Sequence, residues 1–162
     1  MNILVTGNRG YIGSVLAAML MDKGHRVIGY DTGYYDTAGL LPPPEPDAQI
    51  RKDIRDITVQ DMKGIDAVVH LAALSNDPLG ELDPSLTEKI NFEGTVQCAK
   101  VAKEAGVKRF VYSSSQSMYG VSNTDAELDE DKSEKNPVTA YARTKWEAEQ
   151  EIRKLADKNF IV

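Results

Sequence analysis

The chain has 162 residues, 41% of them hydrophobic and 27% charged, with a formal net charge of −6. That length allows one well-buried core and sets a single domain, residues 1–162, as the expectation. The acidic balance speaks against a general nucleic-acid binder, which shows a basic face, yet leaves room for an anionic ligand at a helix N-terminus.

The elements alternate. Asn2–Thr6 (NILVT) is a compact β-branched run that ends at a glycine. Tyr11–Lys23 then sets Ile12, Val15, Leu16, Met19 and Leu20 at helical spacing, with Gly24 as a stop signal. Arg26–Tyr30 reads as a second strand. Thr32–Asp47, with Gly33, Gly39, Pro42, Pro43, Pro44 and Pro46, reads as a surface loop. Gln49–Lys52 is a third strand and Asp66–Leu71 (DAVVHL) a fourth. A long helix follows over Pro84–Ala105, closed by Gly106. It carries Cys98, the only cysteine, which is expected as a small buried apolar residue and excludes an internal disulfide. Arg109–Ser113 is a fifth strand and Thr139–Lys158 a further helix, and Asn159–Val162 (NFIV) reads as a strand just starting. Short, nearly continuous apolar strands between helices predict an α/β fold with a parallel sheet covered on both faces. A chain that stops within its sixth strand is expected to be one part of a larger protein. The opening MNILVTGNRG lacks the basic and long apolar regions of a signal peptide, and no run approaches the roughly 20 apolar residues of a membrane span. A cytoplasmic location without a membrane partner is the expectation.

TGNRGYIG places Gly7, Gly10 and Gly13 three apart, directly after a strand and opening a helix. This is the logic of dinucleotide recognition. Gly7 permits the tight turn, Gly10 lets the backbone approach a pyrophosphate, and Gly13 lets helix and strand pack closely. Asp31 ends the next strand at the spacing such sites use, where its carboxylate can accept from both ribose hydroxyls and repels a 2′-phosphate. That favours NAD over NADP. Arg9, inside the turn, is either a phosphate contact or a surface arginine.

With these residues in place the chain resembles a known family, the extended short-chain dehydrogenase/reductases that act on nucleotide sugars. The family pattern G-x-x-G-x-x-G runs from Gly7 to Gly13, and Asp53-Ile54 matches an Asp-hydrophobic pair. His70-Leu71-Ala72-Ala73 matches the segment after the fourth strand. Asn91 with Gly94-Thr95 matches N-x-x-G-T, and Ser113-Ser114-Ser115 leads to Tyr119-Gly120. Tyr141-Ala142-Arg143-Thr144-Lys145 completes the set. The resemblance implies a Rossmann-type doubly wound sheet that stops before a C-terminal substrate region. It implies NAD held by Gly7, Arg9, Gly10, Tyr11, Ile12, Asp31, Asp53, Ile54, Leu71, Ala72, Ala73, Asn91, Ser113, Tyr141 and Lys145, with no metal. His70 is either part of that segment or a core histidine.

The resemblance also implies chemistry. Tyr141 acts as general base or acid, and Lys145, one helical turn along, lowers its pKa from the ordinary value near 10. Ser115 holds the substrate hydroxyl, with Ser114 as the alternative. Dehydratases of the family follow the catalytic Ser/Thr with an Asp-Glu pair. Here Gln116 and Ser117 stand in those places and cannot do acid–base work. The pattern S-S-S-Q-S-M-Y-G is most similar to the nucleotide-sugar 4-epimerases, with Ser75, Ser115, Gln116 and Tyr141 facing substrate. The segment Ala73–Gly80 points to no particular sugar. A nucleotide-sugar dehydrogenase or reductase that releases NAD(P)H, a dehydratase of the same family, and a non-catalytic NAD-binding scaffold remain as alternatives. The resemblance further implies a homodimer through the two long helices, which exposed Leu or Val on both would support. A protein ending at Val162 is expected to bind NAD weakly without turnover.

Overall fold

A computed structural model describes residues 1–38, 44–75, 77–121 and 127–162, leaving out the side chains of Asp77, Leu79 and Glu81. Residues 39–43, within the predicted proline-rich loop, lie outside the described residues.

Five parallel strands form one sheet: β1 (Asn2–Thr6), β2 (Arg26–Tyr30), β3 (Ala48–Ile50), β4 (Ala67–His70) and β5 (Arg109–Tyr112), in spatial order β3-β2-β1-β4-β5. This is the doubly wound order, whose strand sequence reverses direction between β1 and β4. The register is level at the carboxyl ends. Thr6 stands opposite Tyr30 and His70, Tyr30 opposite Ile50, and His70 opposite Tyr112. The next residues, Gly7, Asp31, Arg51, Leu71 and Ser113, therefore leave the sheet side by side along one edge.

Alternation along the strands sends side chains to opposite faces. Leu4, Ile28, Val68 and Phe110 meet Cys98, Ala99, Val101, Ala102 and Ile152 in the larger core. Ile3, Val5 and Val27 meet Ala17 in the smaller one, beneath α1 (Tyr11–Asp22). Cys98 is fully buried, as expected of an apolar residue.

Beyond one-residue differences at the ends of α1, β4 and β5, three elements differ from the sequence reading, each for a local reason. The third strand is Ala48–Ile50 rather than Gln49–Lys52, because its register is set against Ile28–Tyr30 and the chain leaves the sheet where β2 ends. The long central helix runs from α3 (Pro84–Thr87) through a π-helical segment, Glu88–Glu93, into α4 (Gly94–Glu104). A short helix, α2 (Asp77–Leu82), precedes it. The last helix, α5 (Ala140–Arg153), starts where the Thr139 hydroxyl accepts from the Ala142 amide at 3.1 Å. It ends five residues early because the Asp157 side chain accepts from the Asn159 and Phe160 amides and closes a turn. Beyond that turn Ile161 bridges Arg109 in parallel, on the outer side of β5, where the sequence placed a strand start. Among the described residues of the two long helices, Leu86 is the single large hydrophobic that is exposed; α5 presents none.

Candidate active site

The residues that leave the sheet edge surround a cavity of about 900 Å³. Its walls include Gly7, Arg9, Gly10, Tyr11, Ile12, Asp31, Asp53 and Ile54 at one end. Leu71, Ala72, Ala73 and Ser75 line its middle, and Ser113, Tyr141 and Lys145 its far end. Except for Asn91, every predicted cofactor residue lines this one space.

The glycine turn is held by backbone geometry. Gly7 has a φ of 71°, and a side chain there would run into the Ala72 amide nitrogen at 2.8 Å. A Cβ at Gly13 would collide with the Gly7 carbonyl oxygen. At Gly10 the only neighbour would be that same oxygen at 3.3 Å, so the outer face of the turn is open. Gly10 is also the N-cap of α1 and supplies no side-chain hydrogen bond, so the first amides of the helix face the cavity end uncapped.

Asp31 is aimed by the backbone. One carboxylate oxygen accepts from the Arg9 amide at 3.1 Å, the other from the Gly33 amide at 2.8 Å. Each oxygen keeps a further lone pair for a ligand. Asp53 caps a short helical turn (Ile54–Asp56) and forms a two-pronged pair with Arg55 at 2.9 and 2.7 Å. The Arg55 hydrogen bonds hold its carboxyl below the usual range.

Behind the cavity, His70 is fully buried. Its Nδ1 meets the Thr6 hydroxyl at 2.8 Å and its Nε2 the Thr95 hydroxyl at 2.9 Å. The Thr6 oxygen also accepts from the Leu71 and Ala72 amides, each at 3.2 Å. Its single proton is then left for Nδ1, which assigns the Nε2–H tautomer to His70. Burial, and then the Lys145 charge, push the His70 pKa down to about 3. His70 is thus a neutral core histidine whose network fixes the Leu71–Ala72 wall.

Asn91 requires a correction. It is buried, and its side chain accepts from the Leu74 amide at 2.8 Å and donates to the Leu74 carbonyl at 3.0 Å. It supports the loop from behind instead of lining the cavity.

At the far end Lys145 is 3% exposed, with its Nζ 4.0 Å from the Tyr112 ring centre. The Tyr112 hydroxyl donates to the Lys145 carbonyl at 3.2 Å. Burial pushes the Lys145 pKa down to about 8, against an opposing pull from Glu149. Tyr112 escaped the sequence reading. The signal was present, since a lysine on the buried face of a helix needs a compensating partner and Tyr112 lies in the facing strand.

The three serines, which follow β5, have different partners. Ser114 donates to Glu149 at 2.5 Å, away from the cavity. The Ser115 hydroxyl caps the turn Gln116–Tyr119, accepting from the Ser117 amide at 3.2 Å and donating to the Ser117 hydroxyl at 3.0 Å. Neither Ser115 nor Gln116 lines the cavity, and Gln116 is exposed. Among the described residues no cluster of three metal-ligating side chains occurs and no helix is long and apolar enough to cross a membrane.

Residues 3–162 match the family model of the NAD dependent epimerase/dehydratase family. The chain belongs to that family. Of its relatives, a UDP-glucose 4-epimerase of Klebsiella pneumoniae is 32% identical over 129 residues, covering 74% of this chain and 93% of that sequence. A UDP-glucose 4-epimerase of Rhizobium meliloti is 30% identical over 156 residues, 94% of this chain and 46% of the relative. Among solved structures of the family, UDP-glucose-4-epimerase from Stenotrophomonas maltophila with bound NAD and formylated UDP-arabinopyranose gives a TM-score of 0.86 at 32% identity. The match covers 99% of this chain and 51% of that one. The chain spans about half the length of these last two.

Proposed function

We propose that this chain is the NAD-binding part of an NAD-dependent nucleotide-sugar epimerase acting at C4. The observation that carries the reading is the single cavity that joins Gly7, Asp31 and Asp53 to Tyr141 and Lys145. Its open turn at Gly10, the uncapped start of α1 and the pre-aimed Asp31 carboxylate fit a dinucleotide. Gly7, Gly10, Tyr11 and Ile12 would hold its pyrophosphate and Asp31 its adenosine ribose. Ile54, Leu71, Ala72, Ala73 and Ser113 would wall its rings. When bound, NAD supplies a reversible hydride acceptor.

The residues of the chain supply the proton chemistry. Tyr141 takes the proton of the sugar hydroxyl and returns it. The Lys145 ammonium favours the phenolate form and is itself held by the Tyr112 ring. Ser115 would orient that hydroxyl, giving up its bond to Ser117 to do so. Gln116 and Ser117 offer no acid–base pair for loss of water, which supports epimerisation over dehydration. A cytoplasmic location and a homodimer through the two long helices belong to the same reading. With Leu86 as the one exposed large hydrophobic there, such an interface would be largely polar.

The test is to incubate the full-length protein with NAD and a panel of UDP-, dTDP- and GDP-sugars and to identify the products. One sugar should yield its C4 epimer without build-up of reduced nicotinamide. Steady production of reduced nicotinamide would overturn the reading in favour of a dehydrogenase.

A further inference from the structure

At the end of the cavity where β2 and β3 finish, two arginines and two carboxylates are folded onto one another. Arg9 Nε lies 3.2 Å from one oxygen of Asp36, and Arg51 Nη1 lies 2.6 Å from the other. Asp36 sits in the turn after β2, with Asp31 at the start of that turn. The Arg51 guanidinium crosses the place that a side chain at residue 33 would fill, so Gly33 is what lets it reach Asp36. Cations close by are engaged in the same way: Lys52 with Asp61 at 2.8 Å and Arg55 with Asp53 at 2.7 Å.

We propose that Asp36 sets the choice between the two nicotinamide dinucleotides, by tying the Arg9 and Arg51 guanidiniums to itself beside Asp31. The inference rests on the dinucleotide reading above and concerns its specificity. A 2′-phosphate carries a charge between about −1.5 and −2 and is held by arginine forks where they are free. Here it would enter a cluster in which Arg9 and Arg51 are balanced by Asp31 and Asp36, leaving no net positive charge to receive it. The ribose hydroxyls of NAD need only the Asp31 oxygens, which the Arg9 and Gly33 amides already aim. The Arg9 side chain is 14% exposed, so solvent screens its attraction to Asp36 incompletely. Yet among the described residues its Nε finds no aligned hydrogen-bond acceptor. Charge holds this guanidinium in place without a directional lock, and removing Asp36 leaves it free to turn toward a phosphate.

Dissociation constants for NAD and NADP, measured by calorimetry on the protein and on Asp36→Ala, test the proposal. NADP should bind at least tenfold more tightly to Asp36→Ala, with the preference for NAD falling by at least that factor. The gain should vanish when Arg9→Gln and Arg51→Gln are added to Asp36→Ala. Asp36→Asn, which keeps the side-chain shape, should show the same direction and carries the test should Asp36→Ala fail to fold. NADP affinity that stays unchanged or weakens, in a variant that still binds NAD, overturns the role of Asp36 and leaves the cofactor reading intact. A gain that survives both arginine substitutions overturns it as well. A protein that binds neither dinucleotide refutes the cofactor reading, and this inference with it.

Discussion

Lys145 and Tyr141 share one face of α5, and their surroundings differ in a way that suits proton transfer. Lys145 is buried against the Tyr112 ring, while Tyr141 is partly exposed at the cavity wall. In the reaction proposed above, replacing Tyr141 by Phe removes the proposed proton carrier and little volume. Turnover should fall by about 10²–10⁴-fold or more, with NAD binding retained. A rate close to that of the parent protein would show that another group carries the proton. The lowered pKa of Lys145 adds a pH dependence. As pH rises through about 8 the free protein loses the ammonium that favours the Tyr141 phenolate, so kcat/KM should fall on the alkaline side. Lys145→Arg cannot lose its charge in that range, so it should be slower overall but without that alkaline limb. A limb that stays in place in the variant belongs to some other group. At this scale the sequence made Tyr141, Lys145 and Asp31 legible because each sits in a motif of fixed spacing. It only hinted at Tyr112, through the need of a buried lysine for a partner, and hid Asp36 and the Leu74 contacts of Asn91. Those pairings join residues 33, 27 and 17 positions apart, brought together only by the folded sheet and its loops.

Among the elements, β1, the glycine turn and α1 were readable almost to the residue. Apolar runs closed by glycine leave little freedom in where a strand ends and a helix begins. The π-helical segment Glu88–Glu93, with its i→i+5 hydrogen bonds, was not readable, since the apolar spacing does not distinguish it from an α-helix; within it Asn91 is buried against Leu74. The tight fit of α1 against β1 gives a test at this scale. In Gly13→Val the new side chain would press on the Gly7 carbonyl and on Asn8 Cα at 2.7 Å. Unfolding in urea should show a loss of roughly 1–3 kcal/mol, and NAD affinity should drop because the phosphate turn shifts with the helix. Unchanged stability together with unchanged affinity would mean that this contact does not shape the turn.

For the molecule as a whole, the proposed function rests on level strand ends. Because β1, β2, β4 and β5 finish in register, the glycine turn, Asp31, the Leu71–Ala72 wall and the serine run emerge along one edge. Helix α5 brings Tyr141 and Lys145 to the same cavity. The parallel order was legible from the alternation of strands and helices. The shape of the cavity was not, because it depends on the His70 network and the Leu74 loop, which no local pattern announces. In the proposed reaction the hydride leaves C4 and returns to the same carbon of the same sugar. The most direct measurement uses a nucleotide sugar deuterated at C4, incubated with the full-length protein and NAD without added reductant, with the product read by NMR. A C4 epimer that keeps its deuterium is the expected product. Loss of the label to solvent, or its accumulation in reduced cofactor, would contradict it.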